Sequence, residues 1–361
     1  MNSKFFKAIF LQLSGILGAG IFALPFLFYN SNFIFATGVL IFVAIFMAIL
    51  NLFYTDIILH TSGDHQLSGY AQIYLGPKSK FLSVANLLFL GFGGILAYIK
   101  LASIFLLQIF PSLSTFIVSI IFIFLLGVFH LSKTKVCQII FQVLPIVSLI
   151  IIASLYFLSF NFSAPILNSN PPNLLCFGGI IFALAGFTII PEVEEVLRFS
   201  KNKKNLLKIS SLIGLTLAAI VYLIFSYGII RISGSHVSVD SVVGVIQVYP
   251  VIGKILIALG LMIIFKASLN FLLIFKEVFY RDFKLPEKTS YRLSFLVPFL
   301  ALFFINISFI KIISLAGAIS VFLSALLICL IRLKLPCNWF TRVLIFIILI
   351  IFVFGLIAEN F

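Results

Sequence analysis

Apolar residues run along this chain in long unbroken blocks, not in the narrow 3.6-residue stripe of a helix that is half buried in a soluble core. Polar or charged clusters separate the blocks at 5–29, 33–59, 82–108, 112–130, 137–160, 174–197, 206–230, 251–280, 290–309, 311–331 and 341–358. A bilayer core takes roughly 20 apolar residues to cross as a helix. The pattern therefore predicts an all-α integral membrane protein with eleven transmembrane helices. The splits around Pro111 and Lys311 rest on a single residue each. The segment Gln66–Leu75 reads either as a short amphipathic helix at the inner surface or as an ordered loop.

Composition removes the soluble alternative. Of 361 residues, 63% are hydrophobic and 9% charged, where soluble domains carry about a quarter charged. The net charge of +14 then acts as a topology signal and not as a nucleic-acid footprint. With the N-terminus inside, 19 of the 24 Lys and Arg fall on cytoplasmic ends and loops, from Lys4 and Lys7 through 198–208 and 276–292 to 332–342. Only Arg231, Lys254 and Lys311 fall outside, and Lys100 and Lys266 lie within spans. A missed helix would reverse every later loop, so this asymmetry predicts a multi-pass cell-membrane protein with its N-terminus cytoplasmic and its C-terminus outside. The first block is too long for a signal-peptide core and is followed at once by another. Cys137, Cys176, Cys329 and Cys337 have neither metal-site nor disulfide-framework spacing and read as packing residues. The four His, at 60, 65, 130 and 236, fall at span ends or in loops and support no metal site. No cofactor is expected.

An internal repeat carries the functional signal. Ala19-Gly20 precedes Pro25 in the first block, and Ala185-Gly186 precedes Pro191 at the same distance in the sixth. Five spans separate the copies, so they run in opposite directions, as an inverted repeat requires. Each lies in a glycine-rich patch, Gly15 to Gly20 and Gly178 to Gly186, near mid-span. Glycine weakens a helix and proline removes a donor. Helices 1 and 6 are thus predicted to break at mid-membrane, where unpaired peptide groups are tolerated only against protein, water or a ligand. Close helix packing is the alternative use of such glycines. After the first break the outer half-helix offers free N–H groups to an anion, whereas the outer half of the sixth span ends in free carbonyls near Phe182–Leu184, suited to an ammonium. Together they describe a receptor for an α-amino acid.

At these residues the chain resembles the amino acid permeases of the amino acid–polyamine–organocation superfamily, nearest to the aromatic/hydroxy amino acid and amino acid/auxin branches. The resemblance rests on Gly18-Ala-Gly-Ile-Phe-Ala-Leu-Pro25, Leu96-Ala-Tyr-Ile99, Phe182-Ala-Leu-Ala-Gly-Phe-Thr-Ile-Ile-Pro-Glu192 and Tyr70-Ala-Gln-Ile-Tyr-Leu-Gly-Pro77. It implies the LeuT-type fold: a 5+5 inverted repeat, 5–160 and 174–331, plus one extra C-terminal helix at 341–358, all in one transporter domain spanning 1–361. It implies further that Gly18, Ala19 and Gly20 bind a substrate carboxylate, that main chain at Phe182, Ala183, Leu184 and Gly186 binds the amino group, and that Tyr98 closes over the substrate. Packing is the alternative role for Tyr98.

Charges inside the bilayer add candidates for coupling and gating. Lys266 lies about 14 residues from either end of its span and cannot snorkel out. It is expected where sodium-driven relatives hold a cation, with Ser268, about 200° away round the helix, as the competing sodium ligand. Glu192 is expected to line the inner vestibule and carry a proton or a gate, and Asp56 to serve a gate or the interface. Lys100 is expected to snorkel outward. The resulting expectation is a secondary transporter working by alternating access as an ion-coupled symporter, proton favoured over sodium, whose partners are an amino acid, the coupling ion and the lipid bilayer. A non-transporting amino acid sensor on the same fold is the alternative. An integral-membrane enzyme is disfavoured because the tight acidic cluster Glu192–Glu195 adjoins a basic loop and not a second acidic motif.

Overall fold

The computed structural model describes residues 3–132, 150–160 and 171–358, and these are almost wholly helical, with no strand among them. Two short helices, α1 (Ser3–Ile16) and α2 (Gly20–Asn30), open the chain and are followed by α3 (Phe33–His60), α4 (Leu67–Leu75), α5 (Pro77–Ile109), α6 (Thr115–Ser132) and α7 (Ile150–Ser159). The rest are α8 (Cys176–Ala183), α9 (Ile190–Leu197), α10 (Lys203–Ser233), α11 (Val243–Val248), α12 (Pro250–Glu277), α13 (Glu287–Ala301), α14 (Phe309–Lys334) and α15 (Trp339–Ala358). By length and composition six of the described stretches can each cross a membrane, and the bent pair α1–α2 makes a seventh crossing. Helices α6, α7 and α15 are apolar but shorter. Most of the fifth predicted span, together with Lys133, Lys135 and Cys137, lies outside the described residues.

Local chemistry sets the boundaries. Asn32 caps α3 with its side-chain oxygen, accepting from the N–H groups of Ile34 and Phe35. Gly76, at φ 94°, ends α4, and Pro77 then starts α5 where no N–H is needed. The segment before Pro77 is a helix, but Leu67 to Ala71 are buried, so α4 packs into the protein. The split expected around Lys311 falls earlier, at 305–308, and Lys311 lies in the first turn of α14, two residues after Phe309.

Burial sorts the helices by role. Only 33% of the central window of α3 is buried, and Ile34, Ile41, Phe42 and Ile45 face outward, as on a lipid-exposed helix. The equivalent windows of α5 and α8–α9 are 72% and 83% buried. In hydrocarbon, helices associate through close packing, not apolar transfer. Glycines supply the close approaches: Gly179 faces Leu27, and Gly317 faces Phe182 and the Gly178 carbonyl. Gly178 and Gly179 therefore serve packing within α8, and the interruption of the sixth span lies beyond them at 184–189. Around this core α1 packs on α9 and α2 on α8, so the two interrupted crossings run side by side with their breaks abreast.

Candidate functional site

The first break spans three residues, Leu17 to Ala19, across which the axis turns by 61°. Leu17 still donates to Leu13, and Ile21 and Phe22 donate to Gly18 and Ala19. The N–H groups of Gly18, Ala19 and Gly20 find no backbone acceptor among the described residues, and that of Ala19 donates to the Tyr98 hydroxyl. They form the positive end of α2, at the middle of the crossing. Small side chains are required here by geometry. A Cβ on Gly18 would lie 2.5 Å from the Tyr98 hydroxyl, and one on Gly20 would lie 2.8 Å from the Ala183 Cβ.

The second break begins where α8 ends at Ala183 and resumes through a 3₁₀ turn, Phe187–Ile189, into α9. Its carbonyls are more occupied than helix polarity alone implies. Phe182 accepts from the N–H of Ala185, Leu184 from that of Gly186, and Gly186 accepts from the Gln12 side chain at 3.0 Å. The carbonyls of Ile181 and Ala185 have no partner among the described residues, and each engaged carbonyl keeps a second lone pair. Tyr222, fully buried on α10, joins the breaks: its hydroxyl lies 2.8 Å from the Ile16 carbonyl and 2.8 Å from the Ala183 carbonyl. Chain pattern could not single out Tyr222, since a lone Tyr in an apolar block carries no positional signal.

Between the breaks lies a cavity of about 40 Å³, room for about three waters. Gly15, Ile16, Gly18 and Gly20 line it from the first crossing, and Phe182, Ala183, Ala185, Thr188 and Ile189 from the sixth. Leu90 and Tyr98 of α5 close one wall, and Ala267, Asn270, Phe271 and Ile274 of α12 another. The Tyr98 and Phe271 rings lie against each other, centroids 5.8 Å apart and tilted by 37°. The structure thus brings Gly18, Gly20, Tyr98, Phe182 and Ala183 to one space, with Ala19, Leu184 and Gly186 on the adjoining backbone. Thr188 and Asn270 were missed. The signal for Asn270 was the spacing 267, 270, 271, 274, one face of a helix, which becomes informative only once that face is known to meet the breaks.

The charged candidates lie around this space and not in it. Lys266 is buried, and its ammonium donates to the Ser14 carbonyl at 2.6 Å, in the last full turn of α1. Ser268 is equally buried but bonds the Ile264 carbonyl of its own helix, and it does not line the cavity. Lys100 donates to the Ile305 carbonyl at 2.9 Å, in the link before α14. Glu192 accepts from Gln66 at 2.8 Å through one carboxylate oxygen, and its other oxygen is buried without a partner among the described residues.

Asp56 joins three helices by pairing with Lys208 at 2.5 Å and Arg332 at 3.6 Å. Arg198 bridges Asp64 and Glu194, Lys203 also pairs with Glu194, and Arg281 spans Glu195 and Glu277. Ends of the second, sixth, seventh, eighth and tenth predicted spans therefore meet on one basic face, locked by ion pairs. On the far side of the breaks, Phe22 packs edge-on against Phe105 at 5.3 Å and Phe225 at 5.6 Å, all three buried. Ser241, from the segment between α10 and α11, donates to the Phe22 carbonyl at 2.5 Å. Nearby, burial holds the Asp240 carboxyl above its ordinary range, against the opposing pull of the Val243 and Val242 N–H groups that it accepts.

Two interrupted crossings abreast, with a common cavity between their breaks, make this architecture comparable with known families. The model of the tryptophan/tyrosine permease family matches residues 1–358. The chain belongs to this family. Solved structures agree on the fold of the permease. It superimposes on Mhp1, a nucleobase-cation-symport-1 family transporter in a closed conformation with bromovinylhydantoin bound, at TM-score 0.69 and 13% identity, over 98% of this chain and 90% of that one. The Eremococcus coleocola manganese transporter gives 0.71 and 12%, over 99% and 88%. MhsT in complex with L-phenylalanine gives 0.67 and 13%, over 99% and 98%. Comparison with curated protein sequences returns no match. The permease is a multi-pass membrane transporter of the LeuT-type fold and not an enzyme.

Proposed function

We propose that the permease moves an α-amino acid, of the aromatic class, across the cell membrane by alternating access as an ion-coupled symporter. The observation that carries this reading is the group of N–H donors at Gly18, Ala19 and Gly20 that no backbone carbonyl accepts, facing, across one cavity, the carbonyl-rich end of α8. In our reading the donors take the carboxylate, and main chain from Phe182 through Leu184 to Gly186 takes the ammonium through its remaining lone pairs. The family match and the phenylalanine bound to MhsT support an aromatic side chain. In our reading the Tyr98 and Phe271 rings part to admit the substrate and then close again. The whole chain acts as one transporter domain of two inverted halves plus the last helix, N-terminus cytoplasmic and C-terminus outside. The basic face is then cytoplasmic, and Asp56 and its partners form the inner gate.

The proton is the favoured coupling ion. Lys266 already puts a cationic group between α12 and α1, where a sodium ion would otherwise have to be held, while the Ser268 hydroxyl is bonded within its own helix. Glu192, with one carboxylate oxygen unpartnered, is the second proton candidate. The test is counterflow of a panel of labelled amino acids in proteoliposomes under separately imposed proton and sodium gradients. Accumulation of aromatic amino acids driven by the proton gradient is expected. Binding without exchange for every member of the panel refutes transport and leaves an amino acid sensor. Lys266→Ala that matches the parent both with and without sodium removes Lys266 from coupling.

A further inference from the structure

The α12 wall of the cavity between the breaks has one polar group that backbone recognition of an amino acid leaves unused. On α12 the positions facing it are Ala267, Asn270, Phe271 and Ile274, and among them only Asn270 is polar. Its carboxamide has no hydrogen-bond partner among the described residues, whereas the amide nitrogen of Asn86 donates across helices to Ser320 and Ser324. An amide offers two N–H donors and one acceptor oxygen, and it is costly to enclose empty-handed. The walls around it, Leu90, Ile189, Phe271 and Ile274, are apolar. They suit a flat hydrophobic side chain that carries a single polar atom.

We propose that Asn270 is the specificity-determining residue of this site and selects aromatic side chains bearing a hydrogen-bonding group, the indole N–H of tryptophan or the phenolic O–H of tyrosine, over phenylalanine. This rests on the amino acid reading above. The indole donates to the amide oxygen, and the phenol both donates to that oxygen and accepts from the amide N–H. Phenylalanine fills the same apolar walls but leaves the amide unpaired when the site closes. A site built to bond a substrate O–H or N–H rejects the analogue lacking it far more strongly than a purely apolar pocket does. Thr188, on the opposite wall, has one hydroxyl and is the rival for this role.

The experiment uses the full chain in proteoliposomes. Counterflow of labelled phenylalanine is competed with unlabelled tryptophan, tyrosine and phenylalanine, and the readout is the ratio of half-inhibitory concentrations within each protein. In the parent, tryptophan or tyrosine is expected to compete at least roughly tenfold better than phenylalanine. Asn270→Leu, which keeps the branched heavy-atom outline of Asn without its polar atoms, is expected to bring that ratio near one. If Asn270→Leu does not assemble, Asn270→Ala serves, with the same collapse expected. An unchanged ratio in these variants, a ratio near one in the parent, or a ratio that moves with Thr188→Val instead overturns the assignment of Asn270 while leaving amino acid transport intact. Absence of exchange for all three amino acids in the parent overturns the transport reading and this one together.

Discussion

A methyl group added at Gly20 tests whether the two breaks must close on each other. Its Cβ would lie 2.8 Å from the Ala183 Cβ and 2.9 Å from the Ala183 Cα, where ordinary contact begins at 3.4 Å. The half-helices α2 and α8 must therefore separate by about 0.6 Å, and part of the obstruction is backbone, which cannot swing aside. Overpacking of this size costs about 1–3 kcal/mol. If the separation is opposed only in the closed site, its population falls by a factor of roughly 5 to 150. The substitution keeps the Gly20 N–H, so any loss reports sterics and not a missing donor. Gly38→Ala is the internal control, because nothing lies within 4 Å of a Cβ there. The assay is tryptophan counterflow together with the shift in melting temperature that tryptophan produces in purified protein. Gly20→Ala is expected to lose most of both, and Gly38→Ala neither. Adding Ala183→Gly should restore part of the activity, since it removes the Cβ contact and leaves the Cα. Parental activity in Gly20→Ala, or no rescue whatever by Ala183→Gly, refutes the reasoning.

Three further outcomes follow from other contacts. Tyr222→Phe strips a donor from the Ile16 and Ala183 carbonyls and should cost about 1–3 kcal/mol, read as a lower melting temperature and a weaker tryptophan response. Because burial raises the Asp240 carboxyl, the folded segment holds its proton more tightly than the unfolded chain does. Its contribution is fully present below the unfolded value of about 3.9 and is lost as pH rises through the raised folded one. Asp240→Asn keeps an oxygen for the Val242 and Val243 N–H groups and should melt higher than the parent at neutral pH, with the gap vanishing in acid. Arg281→Gln severs the ties to Glu195 and Glu277, so a cysteine placed at Thr188 should react faster with an impermeant thiol reagent applied from the basic face. An unchanged rate would mean that those pairs do not restrict access.

Much of this architecture could be anticipated from residue order, for identifiable reasons. Bilayer thickness fixes block length, so α3, α5, α10, α12 and α14 were visible as long apolar runs. The duplicated Ala-Gly with its following proline marked both interrupted crossings because glycine and proline act locally, on their own backbone. Contacts that depend on which helix face meets which neighbour were not visible. Gly178 and Gly179 look like part of a break but admit Leu27 and the α14 backbone to α8. That the Ile305 carbonyl receives the Lys100 ammonium is likewise a matter of tertiary contact. Tyr222, Thr188 and Asn270 gain meaning only from the tertiary arrangement, since each is an isolated polar residue in an apolar run. Helix polarity likewise suggested bare carbonyls at Phe182–Leu184, but local turns and the Tyr222 hydroxyl engage all three.

The phenol between the two crossings has one hydrogen and two suitors. Turning about its carbon–oxygen bond passes that hydrogen from the Ile16 oxygen to the Ala183 oxygen without moving any backbone. Whatever draws one oxygen away leaves the other with the undivided bond, so a tug on the chain near residue 16 is felt near residue 183 although 167 positions separate them.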